Sequence, residues 1–106
     1  MEKIKIRIPE EASKEVEFLF HKYNSLMSII SYLQENGKIT EEQFDKKLDE
    51  LTYLCIDLEK KKHQYGSQYK PENIGDTYNY TFDFDNHQIV YEVVKWLNLT
   101  VLIMNL

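Results

Sequence analysis

Cysteine, glycine, proline and arginine are scarce in this sequence of 106 residues. Cys55 is the only cysteine, which excludes an internal disulfide and a zinc site made of several cysteines. Three glycines and two prolines leave few points at which a helix or a strand must end. With 42% hydrophobic residues, the composition is typical of an ordered globular protein, and the length predicts a single domain over residues 1–106.

Positive charge comes from twelve lysines and one arginine, Arg7, and the formal net charge is −5. A protein that binds nucleic acids broadly needs a basic face to displace counterions from phosphates. Arginine is also the residue best suited to bidentate phosphate recognition. We therefore expect no nucleic-acid partner. The abundance of Lys, Ile, Asn and Tyr favours an AT-rich bacterial or phage genome as the source.

No apolar stretch is long enough to cross a bilayer. The longest, residues 90–106, is interrupted by Glu92, Lys95 and Asn98, and the N-terminal residues contain no apolar run of signal-peptide length. We therefore expect a cytoplasmic protein that does not associate with a membrane.

A heptad pattern predicts a first helix at about residues 10–36. Pro9 suits the start of a helix, and Asn36-Gly37 supplies a residue that tolerates the left-handed conformation at its end. Phe20 and Met27 widen the apolar stripe on one side. The stripe itself has spacings of four and three and consists of Ala12, Val16, Leu19, Tyr23, Leu26, Ile30 and Leu33.

A second heptad pattern predicts a helix at about residues 41–65. Thr40 and Gln43 have the spacing of a capping box, which places the helix start at Glu41. Its stripe consists of Phe44, Leu48, Leu51, Cys55, Leu58, Lys62 and Tyr65. Because only residues 37–40 connect the two predicted helices, the helices are predicted to fold back on each other as an antiparallel hairpin, in the manner of a coiled coil.

Alternation of apolar and polar residues predicts three strands. In residues 3–8 three isoleucines alternate with basic residues, and residues 77–94 form a β-hairpin whose turn is Asp85-Asn86. This turn pairs Phe82 with Ile89, Tyr80 with Tyr91, and Tyr78 with Val93. Residues 95–106 fit a fourth strand or a short helix equally well. The predicted fold class is α+β, with the long helical hairpin packed with a small antiparallel sheet.

Catalytic constellations are lacking. His21 and His63 lie off the apolar stripes without a second histidine at helical spacing, and Cys55 lies on a stripe, where a thiol behaves as a small hydrophobe. We therefore expect no enzyme activity, no cofactor and no metal. The proximity of Asp83, Asp85 and His87 leaves a metal-dependent enzyme as one alternative. The simpler interpretation is that the two aspartates neutralise the basic residues of the N-terminal strand, Lys3, Lys5 and Arg7.

Tyrosine is abundant, with eight residues, and several lie off the helical stripes. Tyrosine suits surfaces that a partner half buries, and it also suits packing between a hairpin and a sheet. The leading hypothesis is a non-enzymatic binding or accessory protein with a protein partner, in its simplest form a homo-oligomer such as a homodimer. The candidate interaction surface is Tyr32, Tyr53, Tyr69, Asp83, Asp85, His87, Trp96, Leu99 and Val101.

A further alternative is a phage-type inhibitor that mimics nucleic acid or sequesters a small ligand. Mimicry requires carboxylates gathered on one face, whereas in both helices they are interleaved with lysines. This alternative therefore ranks below the binding protein.

Overall fold

The computed structural model describes residues 3–75 and 77–93 of the chain. Two helices and three strands follow one another in the order β1, α1, α2, β2, β3. Their bounds are Lys3–Arg7 for β1, Glu10–Glu35 for α1, Glu41–Gln68 for α2, Tyr78–Asp83 for β2 and Gln88–Val93 for β3. The helices form a hairpin and the strands an antiparallel sheet, which confirms the predicted α+β class.

The chain divides into two compact units. The sheet unit contains residues 3–13, 65–75 and 77–93, and the hairpin unit contains residues 14–64. Both helices therefore contribute a terminal segment to the sheet unit and most of their length to the hairpin unit. That the chain is a single domain stays a prediction.

Local signals set both ends of the connection between the helices. Gly37 has a φ of +59°, and the amides of Gly37 and Lys38 donate to the carbonyls of Gln34 and Leu33 at 3.2 and 3.0 Å. These two bonds are the Schellman pattern, which satisfies carbonyls at a helix end. At the start of α2, the Thr40 amide donates to Gln43 Oε1 at 3.1 Å and the Gln43 amide donates to Thr40 Oγ1 at 3.2 Å. The predicted end of α1 and the predicted capping box are both confirmed.

The second helix continues three residues beyond its predicted end at residue 65 and includes Gly66. Glycine in a helix interior costs about 1 kcal/mol relative to alanine. Here the absent side chain is needed, because a Cβ on Gly66 would lie 2.8 Å from Cζ of Tyr80. Close approach of the Tyr80 ring thus explains why a glycine stands within the last turns of α2.

Few side chains of the hairpin unit are fully buried. Val16, Ile30 and Leu58 are its buried hydrophobic residues among those that the structure describes. The predicted stripe of α1 is buried or half-buried throughout, and so is that of α2 except at Leu48, which is 38% exposed. Leu54, which lies beside the predicted stripe of α2, is also half-buried. The hairpin core is therefore a narrow line of contact.

The sheet has the strand order β1-β3-β2, with β3 in the centre and both pairings antiparallel. Phe82 pairs with Ile89, Tyr80 with Tyr91, and Tyr78 with Val93, so the predicted register of the β-hairpin is confirmed. The core cluster of the sheet unit is Ile8, Ala12, Ile74, Ile89 and Tyr91, surrounded by partly buried side chains that include Ile4, Ile6, Tyr65, Tyr69, Tyr78, Tyr80, Phe82 and Val93.

One buried hydrogen bond joins β3 to α2 within the sheet unit. The hydroxyl of Tyr91 donates to the carbonyl oxygen of Gly66 at 2.7 Å, and Tyr91 is fully buried. Carbonyls in the last turn of a helix lack amide partners within the helix, so a side-chain donor there is favourable. Burial, with smaller effects of Tyr78 and Tyr80, raises the pKa of Tyr91 to about 12.

Candidate functional site

The turn between β2 and β3 differs from the predicted one. Asp83 pairs with Gln88, so the loop contains four residues, 84–87. Among the described residues other than glycine, only His87 has a positive φ, at +51°. The expectation that Asp85 and Asn86 form a two-residue turn with positive φ is therefore wrong. The left-handed residue stands at the end of the loop, where the chain re-enters the sheet, and histidine is one of the residue types that tolerates this conformation.

The Asp83 carboxylate organises this loop. Its Oδ1 accepts from the backbone amide of Asn86 at 3.3 Å, and its Oδ2 accepts from the side-chain amides of Asn86 and Gln88 at 2.9 and 3.1 Å. The hydrogen bond from the Asn86 side chain is the main cause that lowers the pKa of Asp83, because hydrogen bonds to a carboxylate favour its charged form. The carboxylate of Asp83 thus accepts hydrogen bonds from the loop and from the first residue of β3. Asp85 lies in the loop and not on the strand, so the two aspartates do not share a strand face as predicted.

The basic residues of β1 lie on the polar face of the sheet, as predicted. Arg7 pairs with Gln88 and Lys5 with Val90 across the β1–β3 ladder, and Asp83 is opposite Gln88 on the other side of β3. The central strand thus separates the basic residues from Asp83. Within residues 3–75 and 77–93, no ion pair joins Lys3, Lys5 or Arg7 to either aspartate. The expected neutralisation by direct contact is not seen.

Lys5 and Arg7 instead line a surface pocket at the turn end of the sheet. Its volume is about 410 Å³, and its lining is completed by Asp85, Asn86, His87 and Gln88. In the part of the chain that the structure describes, no group of three or more His, Cys, Asp or Glu side chains has an arrangement that holds a metal ion. The proximity of Asp83, Asp85 and His87 in sequence therefore does not translate into a metal-binding cluster.

Exposed hydrophobic residues are concentrated in the hairpin unit. Eight large hydrophobic side chains of the described residues are exposed: Phe18, Phe20, Met27, Ile29, Tyr32, Leu48, Tyr53 and Ile56. All eight lie within residues 14–64. Phe20 and Met27, which the heptad pattern placed at the flank of a buried stripe, are therefore open to solvent. Two helices cover only one strip of each other's surface, which leaves apolar residues on the flanks uncovered.

Part of this exposed surface forms a groove between the helices. Two adjoining pockets of about 430 and 480 Å³ meet at Phe18, which lines both. We call this feature the apolar groove, and its apolar residues are Phe18, Leu19, Leu26, Ile29 and Leu54. Phe18 is 62% exposed and Ile29 50% exposed. The groove thus offers apolar surface to solvent on one flank of the hairpin.

Charged residues of both signs border the apolar groove. Glu15, Glu50 and Asp57 are acidic, and Lys22, Lys60 and Lys61 are basic. Lys61 Nζ lies 2.8 Å from Glu15 Oε1, which connects the two helices at one end of the groove. Lys22 Nζ lies 5.3 Å from the centre of the Phe18 ring, within the range of a cation–π contact. The border is therefore balanced in formal charge.

The predicted interaction residues are divided between the two units of the chain. Tyr69 is partly buried, packs against the core cluster of the sheet unit and has its ring centre 6.3 Å from that of Tyr65. Tyr32 and Tyr53 are exposed, by 57% and 70%, on the hairpin unit. Asp83, Asp85 and His87 lie together at the β-turn. Trp96, Leu99 and Val101 lie outside the described residues, as does the segment 95–106.

The sequence does contain a signal for the groove that residue-type reasoning missed. Phe18, Lys22, Ser25, Ile29 and Tyr32 repeat at spacings of four and three, parallel to the buried stripe of α1. Three of these five residues, Phe18, Ile29 and Tyr32, are hydrophobic. With them beside its buried stripe, α1 has a wider apolar face than one partner helix covers. This second stripe, more than the abundance of tyrosine, marks the exposed surface.

Neither helix among the described residues is both long and apolar enough to span a membrane. Comparisons with protein-family models, with curated proteins and with solved structures give no match for this chain.

Proposed function

We propose that this chain is a small non-enzymatic binding protein that acts through protein–protein contacts, and that the apolar groove is its contact surface. The observation that supports the groove most directly is that Phe18 and Ile29, 62% and 50% exposed, line two adjoining pockets in a unit that also contains the other exposed large hydrophobic residues of the described chain. Contiguous apolar surface bordered by charged residues is typical of protein interaction sites. Cys55 is the only cysteine, so the chain has no internal disulfide, which fits a cytoplasmic location.

Energetics favour a covered groove over an open one. Removing a large hydrophobic side chain such as Phe or Ile from water contributes about 1.5–3 kcal/mol. The hairpin unit has few buried hydrophobic residues of its own, and small units gain stability by association. A partner that covers Phe18 and Ile29 would therefore stabilise the hairpin as well as bind it.

We propose that the partner is a second copy of the chain. Three acidic and three basic residues border the groove, so two copies meet without net repulsion, and acidic residues of one copy have basic counterparts on the other. A strongly charged partner gains nothing from such a balanced border. Two hairpins that pack in this way form a four-helix bundle.

The available area suits this arrangement. Residues 14–35 of α1 extend over roughly 33 Å at about 1.5 Å per residue. Two helices packed about 8–10 Å apart give a face roughly 20 Å wide. The face is thus roughly 650 Å² per copy, or about 1,300 Å² in total, which lies within the range of specific interfaces, about 1,200–2,000 Å².

Size-exclusion chromatography with light scattering at micromolar concentrations tests the proposal. We expect twice the 12.8 kDa mass of the chain for the unmodified protein. Phe18→Ser combined with Ile29→Ser should weaken the dimer at least about hundredfold, since each copy loses two buried side chains. Phe20→Ser combined with Met27→Ser is the matched control, because these residues are exposed on the same helix outside the groove.

Two results would contradict the proposal in different ways. A chain that stays monomeric at about 100 μM, well above the micromolar affinities of weak specific complexes, excludes the second copy as the partner. A dimer that survives the Phe18 and Ile29 changes, or is lost equally in the control, excludes the apolar groove as the interface. Far-UV circular dichroism of each variant shows that loss of association is not loss of folding.

A further inference from the structure

Two basic residues, Lys5 and Arg7, lie side by side at the turn end of the sheet in a chain whose net charge is −5. Lys5 and Arg7 are two residues apart on β1, so their side chains leave the same face of the sheet. They are about 7 Å apart along the strand. Both line the pocket of about 410 Å³ at the β2–β3 turn, where Asp85 is the acidic member. The lining therefore carries a formal charge of +1, from two basic residues and one acidic residue.

These two cations are not used by the fold. In the described ranges, residues 3–75 and 77–93, neither Lys5 nor Arg7 forms an ion pair with an acidic side chain. The Asp83 carboxylate, which the sequence suggested as their counterion, is occupied by Asn86 and Gln88. Both cations are exposed, so they are accessible from solvent.

The other wall of the pocket is held in place. The carbonyl of His87 accepts from the amide of Ile8 at 2.9 Å, which ties the turn to the residue that follows β1. Asp83 fixes the loop from the opposite side through its hydrogen bonds to Asn86 and Gln88. His87 keeps a left-handed backbone at φ +51°. Residues in such sparsely populated conformations persist where the surroundings fix them, and they cluster at functional sites.

His87 also carries a polar atom that the fold leaves without a partner. Its Nδ1 is buried and makes no hydrogen bond to a described residue. Buried polar atoms of this kind are rare in folded proteins. Two cations without ion-pair partners among the described residues and a turn held by hydrogen bonds therefore meet at one pocket, which His87 also lines.

We propose that this pocket binds a small molecule through an oxyanion, a carboxylate or phosphate group, held by the Arg7 guanidinium and the Lys5 ammonium. The planar guanidinium presents two parallel N–H donors to two oxygens, and the ammonium adds a point charge beside it. This site is distinct from the apolar groove and does not depend on it. A single oxyanion also differs from a nucleic acid, which the acidic balance of the chain disfavours.

Amide chemical-shift mapping of the full chain by NMR tests the proposal, with sodium phosphate as the titrant at pH 7 and constant ionic strength. We expect saturable shifts at residues 5–7 and 86–88, with a dissociation constant of about 1 mM, the usual order for a lone ion contact. Sodium acetate in a second titration distinguishes the sources: saturation with phosphate alone indicates a phosphate-bearing ligand, and saturation with acetate alone indicates a carboxylate.

The control lies on the same strand. Lys3→Ala removes the same charge from the same face of β1, but Lys3 does not line the pocket. We expect Lys5→Ala and Arg7→Ala each to raise the dissociation constant about three- to fivefold, the upper part of the range for exposed ion contacts, and Lys3→Ala to change it less than about 1.5-fold. Shifts that fail to saturate, shifts that sodium chloride reproduces, or equal effects of Lys3→Ala and Lys5→Ala would overturn the proposal.

Discussion

Replacement of Tyr91 by phenylalanine tests the organisation of the sheet unit. The change keeps the ring, which lies among Tyr78 and Tyr80 with centres 5.8 and 6.2 Å away, and removes only the hydroxyl. The carbonyl oxygen of Gly66 then loses its 2.7 Å hydrogen bond in a buried site. No cavity of a methylene or more is created, so the loss reports on the hydrogen bond.

The expected loss follows from two contributions. A net intramolecular hydrogen bond contributes about 1 kcal/mol, and a buried acceptor left without its donor costs about 1–3 kcal/mol. We therefore expect Tyr91→Phe to lower the free energy of unfolding by about 1–3 kcal/mol at pH 7. Urea denaturation followed by circular dichroism at one protein concentration measures it. Tyr78→Phe is the control, since its hydroxyl makes no hydrogen bond to a described residue.

The pH dependence provides a second readout. Burial raises the pKa of Tyr91 in the folded chain to about 12, whereas an unfolded tyrosine ionises near 10. Folding favours the neutral phenol of Tyr91. The contribution of Tyr91 to the free energy of unfolding is therefore complete below pH 10 and is lost as the pH rises from 10 towards 12. A difference of about two pKa units corresponds to roughly 3 kcal/mol. We expect the stability difference between the unmodified chain and Tyr91→Phe to shrink over this interval.

The difference in the free energy of unfolding between the unmodified chain and Tyr91→Phe excludes the effect of other titrating groups, because both proteins contain those groups. A loss of stability below about 0.5 kcal/mol at pH 7 is no larger than the usual effect of a surface substitution. It would show that the hydrogen bond from Tyr91 to Gly66 does not stabilise the fold. A stability difference that stays constant from pH 9 to pH 12 would show that Tyr91 is not the buried phenol that the structure describes.

Two further predictions concern α2. Gly66→Ala places a Cβ 2.8 Å from Cζ of Tyr80, so we expect overpacking to lower the free energy of unfolding by about 1–3 kcal/mol, although alanine is the better helix former. In a Tyr80→Ala background the same change should be neutral or stabilising. Equal losses in both backgrounds would contradict the close approach of the Tyr80 ring to Gly66. Thr40→Ala removes the capping bond that the Gln43 amide donates to Thr40 Oγ1 at 3.2 Å, and thermal denaturation should show a loss of about 0.5–2 kcal/mol. Thr52→Ala in the exposed middle of α2 should cost less than about 0.5 kcal/mol.

Much of the local structure was predictable because its causes are local. The capping box and the Schellman end act over three to five residues, and the heptad and alternating patterns have the period of the element that they describe. The register of the β-hairpin was predictable for the same reason: a slip of one residue would place the partners of Tyr78, Tyr80 and Phe82 on the opposite face, and the position of the turn selects among the remaining registers. The loop conformation was not, since the aspartate that precedes it, Asp83, fixes it through hydrogen bonds rather than through the intrinsic preference of Asp85 and Asn86.

The candidate sites depended on contacts between distant residues. Tyr69 and Tyr53 are the same residue type, each near a predicted stripe, yet one packs in the core and the other is exposed. Composition does not separate them, because burial depends on which elements lie opposite. One wall of the apolar groove could have been found from the sequence, since Phe18 and Ile29 lie beside the buried stripe of α1. The contribution of Leu54 from α2 became visible only in the packed hairpin.

By itself, the sequence determined that the chain forms a helical hairpin and an antiparallel sheet, because hydrophobic periodicity and capping residues act within each segment. Tertiary structure alone decided what these elements expose. The strand order β1-β3-β2 brings Lys5 and Arg7 beside a turn some eighty residues later in the chain, and the packing of only two helices leaves Phe18 and Ile29 uncovered. The few glycines show the same difference between local and tertiary causes. Gly37 was predictable as the residue that ends a helix, whereas the glycine at position 66 is explained only by the close approach of the Tyr80 ring.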